Sequence, residues 1–138
     1  MLVSSKGRYA LRVMLELAEH SREEFIPLKE ITERQNISKK YLEGIMVMLS
    51  KAGFVVAMHG KGGGYKLSKE PKEYKIGDIL RLTEGTLAPV MCLEENAPRC
   101  ERANQCKTLP LWTGLNNAIT GYLDGVTLED VLRGSDKL

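Results

Sequence analysis

No stretch of the 138-residue sequence approaches the roughly 20 apolar residues a membrane span requires. Its start, MLVSSKGRYALRVMLELAEH, breaks the only apolar stretch there with charges and is unlike a signal peptide. Both absences predict a cytoplasmic protein with no membrane partner. Cysteine is scarce, at three, and an odd number in a reducing compartment points to metal ligands or redox sensors rather than disulfide staples. Histidine is scarcer, at two, and His20 and His59 both lie far from the cysteines. There is no internal repeat and no low-complexity tract. Hydrophobic residues at 43% and charged residues at 28% exclude a disordered chain, so one domain with an appendage is expected.

The net charge of +2 is small, but it is unevenly spread. Residues 1–66 carry 11 Lys or Arg against 7 Glu, and residues 67–138 carry 9 against 11 acids. Within 35–66 five lysines (Lys39, Lys40, Lys51, Lys61, Lys66) face a single acid, Glu43. Such a segment suits a polyanion partner or, more simply, a solvated lysine-rich face.

Apolar residues Ala10, Leu11, Met14, Leu15, Leu17 and Ala18 recur at helical spacing after the candidate caps Ser4 and Ser5, predicting an opening helix. A short second helix follows from Pro27, Leu28 and Ile31 and ends near Asn36. Ser38 caps a third, with Leu42, Ile45 and Leu49 on one face, Lys39, Lys40, Glu43, Ser50 and Lys51 on the other, and Gly53 as the stop. Two helices joined by a few residues, the second with a basic outer face, make a helix-turn-helix pattern.

FVVAM at 54–58 and YKL at 65–67 read as strands around the glycine-rich turn HGKGGG at 59–64. A hairpin directly after a reading helix is what a wing needs, and glycines let its backbone approach a phosphate closely. The same glycines do not make a nucleotide loop. Gly60-Lys61 is followed by Gly62 rather than Ser or Thr, and Tyr65 stands where a dinucleotide fingerprint needs its third glycine.

Ile76, Ile79 and Leu80 predict a fourth helix closed by Gly85. After an aperiodic segment, Thr108 as cap, Pro110 and the positions Leu111, Leu115, Ala118, Ile119 and Tyr122 predict a longer helix to Gly125. Its apolar stripe is either the seam of a homodimer or a surface folded back on the core. Thr127-Leu-Glu-Asp130 is a capping-box pattern opening a last short helix to Leu132. The expected organisation is a winged helix-turn-helix over 1–85, a cysteine-bearing segment over 86–107, and a dimerisation helix with a short terminal helix over 108–138. The fold class is mainly α with a small β-hairpin.

Cys92, Cys100 and Cys106 are spaced C-x7-C-x5-C, close enough to reach one inorganic core. Thiolates suit iron–sulfur clusters and zinc, but structural zinc favours tight C-x2–4-C pairs and a nearby fourth Cys or His, which are missing. A reversible disulfide sensor is a further reading. No cysteine has a nucleophile's surroundings and no general base is visible, so an enzyme is not expected.

Together SSKGRYAL at 4–11, PLKEITERQNIS at 27–38, KYLEGI at 40–45, HGKGGGYKLS at 59–68, the cysteine segment, LPLW at 109–112 and TLEDVL at 127–132 resemble a known family. It is the winged-helix transcription regulators typified by IscR, NsrR and CymR. The resemblance implies a homodimer on double-stranded DNA, with the third helix in the major groove and the wing in the minor groove. Ser38, Lys39, Lys40, Tyr41, Glu43 and Gly44 would lie on the reading helix, and His59, Gly60 and Lys61 on the wing tip. It also implies an iron–sulfur cluster, two-iron or four-iron, on Cys92, Cys100 and Cys106, sensing iron–sulfur, redox or nitric oxide status. Alternatively, as in CymR, a cluster-free repressor of sulfur metabolism answers to a partner enzyme or to thiol oxidation.

The sequence departs from the family pattern. His59 stands where the wing commonly offers arginine. The histidine that completes the cluster in IscR, three residues after the third cysteine, is matched by Leu109. The acid that serves in NsrR, near the start of the partner's first helix, is matched by Arg8. Seven residues rather than five separate the first two cysteines. Three thiolates with an open or external fourth position would make a labile, sensing cluster.

Overall fold

A computed structural model describes residues 3–138. Helix α1 (Ser5–Ala18) starts at Ser4, whose hydroxyl accepts from the Gly7 N–H at 3.1 Å. Ala10, Val13, Met14 and Leu17 bury its core face. Leu11 and Leu15, expected in the core, are only half-buried, because the stripe is turned toward Val13.

Helix α2 (Leu28–Gln35) closes at Asn36 in a left-handed conformation, and α3 (Lys39–Lys51) follows with Ser38 accepting from the Tyr41 N–H at 3.2 Å. Leu42, Ile45, Met46 and Leu49 of α3 are buried. This is the expected helix-turn-helix, on the expected caps. Gly53 follows at φ +77°.

Strands β1 (Val55–Met58) and β2 (Gly64–Leu67) pair antiparallel, with Val55 opposite Leu67 and Met58 opposite Gly64. Ile26 adds a bridge to Tyr65, exchanging bonds of 2.8 and 2.9 Å, and is fully buried. Gly64 is glycine for a steric reason: a Cβ there would stand 2.2 Å from the Ile26 carbonyl oxygen.

After a 3-10 turn at Pro71–Glu73 comes α4 (Ile76–Glu84), packed on α1. A 3-10 turn at Met91–Leu93 interrupts the aperiodic segment, and α5 (Leu109–Gly125) and α6 (Leu128–Arg133) complete the chain. Thr108, expected as a cap, makes no side-chain cap bond, because its hydroxyl faces the Cys106 sulfur at 3.4 Å instead. The Thr127–Asp130 capping box forms as expected, with bonds of 2.9 and 3.1 Å.

The terminal segment splits in two. Residues 126–128 return to the core: the Ile76 N–H donates to Val126 O and the Leu128 N–H to Tyr74 O, both at 2.9 Å. Val126 and Leu128 are buried, and α6 packs on α1. Helix α5, by contrast, buries none of its side chains fully. Leu111, Leu115 and Tyr122 are exposed, while Ile119 and Leu123 lean on the core. It is tied to α4 by Arg81, whose guanidinium donates twice to Asp124 at 2.8 Å. No helix among the described residues is long and apolar enough to cross a membrane.

Candidate nucleic-acid interface and cysteine segment

Burial of Leu42, Ile45, Met46 and Leu49 fixes which side of α3 meets solvent. Ser38, Lys39, Lys40, Tyr41, Glu43 and Gly44 all lie on that outer side and are exposed. A Cβ at Gly44 would touch nothing, so the surface there is open. The wing leaves α3 through Phe54, whose N–H donates to Leu49 O at 2.9 Å, and α3 packs on β1. At its tip His59, Gly60 and Lys61 are exposed, and the Gly63 N–H closes the turn on Gly60 O at 3.0 Å.

Residues not singled out in the sequence join this face. Ser5 and Tyr9 of α1 and Asn36 of the turn line a cleft with Ser38 and Tyr41. The Tyr9 and Tyr41 rings meet edge to face at 5.6 Å, and the Arg12 guanidinium lies 5.2 Å over the Tyr9 ring. Tyr9 lies inside the SSKGRYAL stretch, but a tyrosine in an amphipathic helix gives no sign of whether its hydroxyl ends in solvent.

Another surprise is Glu16, a carboxylate on the core side of α1 with 4% exposure. Arg34 of α2 lies 3.6 Å from it and His20 3.7 Å. Arg34 also stands 2.9 Å from the His20 ring nitrogen. His20 is thereby part of the α1–α2 joint, 14 residues from its arginine partner.

All three cysteines are free thiols: Cys92 and Cys100 are exposed and Cys106 is half-buried. Cys100 and Cys106 share a cleft of about 430 Å³ with Arg102, Gln105, Lys107 and Thr108, which Cys92 does not line. The Thr108 hydroxyl and then the Thr108 N–H, with lesser help from the Leu109 N–H and the Arg102 charge, hold the Cys106 thiol below its usual range against the opposing effect of burial. Among the described residues no three Cys, His, Asp or Glu side chains are gathered tightly enough to hold a single metal ion. An iron–sulfur core is several atoms across and accepts thiolates spaced more widely. Three accessible thiols are the donor type that such a core takes, with Cys100 and Cys106 in one cleft and Cys92 outside it. Leu109, half-buried at the start of α5, has no donor atom, and Arg8 bonds Ser5 at 3.1 Å.

Residues 3–134 match the family model Rrf2, described as iron-dependent transcriptional regulator. The HTH-type transcriptional regulator IscR of Serratia proteamaculans is 37% identical over 138 residues, all of this chain and 83% of that protein. IscR of Aliivibrio salmonicida is 37% identical, covering 96% of this chain and 77% of that one. Among solved structures, CymR, the global cysteine regulator of B. subtilis, superposes with a TM-score of 0.79 at 38% identity over 99% of both chains. T. potens IscR superposes at 0.73 and 35% identity, over 97% of this chain and 88% of that one.

Proposed function

The chain belongs to the Rrf2 family of iron-dependent transcriptional regulators, and from that membership we propose how it reads DNA and what it senses. The observation that carries the reading is the exposed outer face of α3, with Lys39, Lys40 and Glu43, beside an exposed glycine wing. The lysines neutralise phosphates and supply affinity common to all sequences. Glu43 accepts from a cytosine amino group or repels a wrong base, which supplies choice. His59, Gly60 and Lys61 approach the minor groove, where a histidine binds more weakly than an arginine.

Two copies joined along the exposed stripe of α5 present two such faces to two half-sites about one helical turn apart. The regulator acts in the cytoplasm, as a binding protein rather than an enzyme. Cys92, Cys100 and Cys106 hold an iron–sulfur cluster, two-iron or four-iron, and its loading reports iron–sulfur, redox or nitric oxide status. That group supplies electron exchange and lability. The chain supplies thiolates, with the Thr108 hydroxyl beside the Cys106 sulfur.

One observation favours a second reading: CymR of B. subtilis superposes over 99% of both chains, and Leu109 withholds a fourth ligand. A cluster-free regulator would answer to a partner metabolic enzyme or to thiol oxidation. Changing all three cysteines to serine separates the cluster reading from the partner-enzyme form of the second, which unchanged control of target promoters in cells supports. The DNA reading is tested by Lys39→Gln and Glu43→Ala on the operator and on random duplex. Lys39→Gln should weaken both and lower the salt slope by about 0.9. Glu43→Ala should change the ratio between them, and equal losses on both would remove its assigned role.

A further inference from the structure

We infer that the cleft between the first turn of α1 and the first turn of α3 seats a backbone phosphate of the duplex. Tyr9 and Tyr41 are its hydroxyl donors and Lys6 its added countercharge. This rests on the DNA reading above and extends it to α1, which that reading leaves outside the interface.

The cleft, of about 360 Å³, is lined by Ser5, Tyr9, Asn36, Ile37, Ser38 and Tyr41. Its lining mixes polar groups with the two tyrosine rings and Ile37, and its tyrosines differ from Tyr74 and Tyr122. Tyr74 commits its hydroxyl to Phe54 O at 2.7 Å and Tyr122 to Leu138 O at 3.3 Å. The Tyr9 and Tyr41 hydroxyls have no protein partner among the described residues, while their rings are fixed edge to face. Arg12 steadies the pair from α1, lying over the Tyr9 ring and donating to Gln35 Oε1 at 3.1 Å. Rigid rings with free hydroxyls are preorganised donors.

Charge on the two helices points the same way. Carboxylates are favoured in a helix's first turn, and α2 and α4 each carry one and α6 two. The start of α5 carries none either, and although the Glu84 carboxylate of α4 bonds the Ser4 cap of α1, the starts of α1 and α3 carry none of their own. They present Lys6, Lys39 and Lys40 instead, all exposed and unfavourable to their own helix dipoles. At α3, where no first-turn carboxylate stands, that arrangement suits an anion supplied from outside. Because the cleft opens beside Ser38 and Tyr41 on the reading helix, the anion that fits is a phosphate of the duplex lying on that helix.

The test uses the full-length protein and a fluorescent random-sequence duplex of about 30 base pairs, titrated between about 50 and 200 mM salt. Tyr9→Phe is expected to weaken binding about 3- to 10-fold with an unchanged salt slope, as loss of an uncharged donor to phosphate should. Lys6→Gln should lower the slope by about 0.9. Ser5→Glu places a carboxylate in the cleft at a position the helix dipole favours, so it folds, and it should weaken binding more than about 10-fold. Lys39→Gln is the reference for the reading helix. If Lys39→Gln weakens binding while the three cleft variants bind as wild type, the cleft proposal is overturned and the regulator reading stands. If the wild type binds neither random nor operator duplex, both fall. If inorganic phosphate stabilises the wild type against heat but not Tyr9→Phe, and duplex affinity is unchanged by Tyr9→Phe, the site takes a small anion and the assignment to DNA is overturned.

Discussion

Ser4, the N-cap of α1, and Glu84, the last residue of α4, are joined through one carboxylate oxygen. Glu84 Oε1 accepts from the Ser4 N–H at 3.0 Å and from its hydroxyl at 2.7 Å. The same hydroxyl accepts from the Gly7 N–H, so a single carboxylate holds the cap that starts the helix. Glu84 also precedes Gly85 and the cysteine segment. The first turn of α1 and the root of the cysteine segment therefore meet at one joint.

Gly7 measures that joint. A Cβ there would stand 2.3 Å from Glu84 Oε1, so Gly7→Ala must push the carboxylate off Ser4. In a helix interior alanine is otherwise better than glycine by about 1 kcal/mol. Glu84→Ala alone should cost about 1 kcal/mol, the usual size for an exposed hydrogen-bonded cap. Once Glu84 is truncated, Gly7→Ala should be more favourable than in the wild type by about 1 kcal/mol. Urea denaturation of the four proteins in one buffer reads this coupling, and simple additivity would dismiss the clasp.

The Arg81–Asp124 pair sets a pH dependence. Its hydrogen bonds, more than its charge alone, hold the Asp124 carboxyl below the usual carboxylate range and raise the Arg81 guanidinium further. A depressed acid contributes stability above its unfolded value of about 3.9, and that contribution is lost as pH falls through the folded value. Arginine stays charged throughout this window. With side chains 37% and 34% exposed, solvent screening limits the pair to about 0.5–1 kcal/mol. Asp124→Asn should be less stable than wild type at pH 7, and the two should converge as pH falls below the folded value of Asp124. A difference that persists in acid would show that packing at Asp124, not its charge, is what matters.

The local signals in the sequence carried far because they were short-range. Ser38 followed by Leu42, Ile45 and Leu49 defines cap and face of α3 within a dozen residues, and the capping box at Thr127 is complete in four. What the sequence hid depended on distant partners. Ile26 stands in the short run Phe25–Leu28, too brief to signal a strand, and pairs only because Tyr65 bridges to it. Glu16 sits on the core side because Arg34 and His20 reach it. Val126 and Leu128 belong to the core because Ile76 and Tyr74 pair with their backbones. Thr108 has a cap's side chain, yet its hydroxyl faces the sulfur two residues earlier. Of the candidate interface, the reading helix and wing were legible from charge and glycine, whereas the Tyr9–Tyr41 pairing arises only when α1 and α3 pack.

Exposure along α5 leads to a third expectation. Leu111, Leu115 and Tyr122 lie exposed at 61%, 42% and 51%, left uncovered by the described residues. Placing a charge on that stripe, as in Leu115→Asp, should leave the fold intact because the side chain is not in the core. It should convert a dimer to a monomer in sedimentation equilibrium and weaken operator binding more than about 10-fold by removing the second half-site. A variant that sediments as the wild type does would place the seam elsewhere.

The last expectation concerns Leu109, which begins α5 three residues after Cys106, close enough for its N–H to donate to Cys106 O at 3.4 Å. Three thiolates leave one corner of an iron–sulfur core to solvent, and an exposed corner is where oxygen and chelators attack. Leu109→His would put an imidazole at that corner. Because Leu109 is only half-buried, the exchange should cost little stability. After anaerobic reconstitution, the visible absorbance of Leu109→His should decay several-fold more slowly in air or EDTA than that of the wild type. Cys106→Ser should fail to take up iron and sulfide stoichiometrically. Equal decay rates for wild type and Leu109→His, with both loaded, would mean that another group already fills the fourth position. No uptake by either would favour the cluster-free regulator, in which the same thiols respond to oxidation directly.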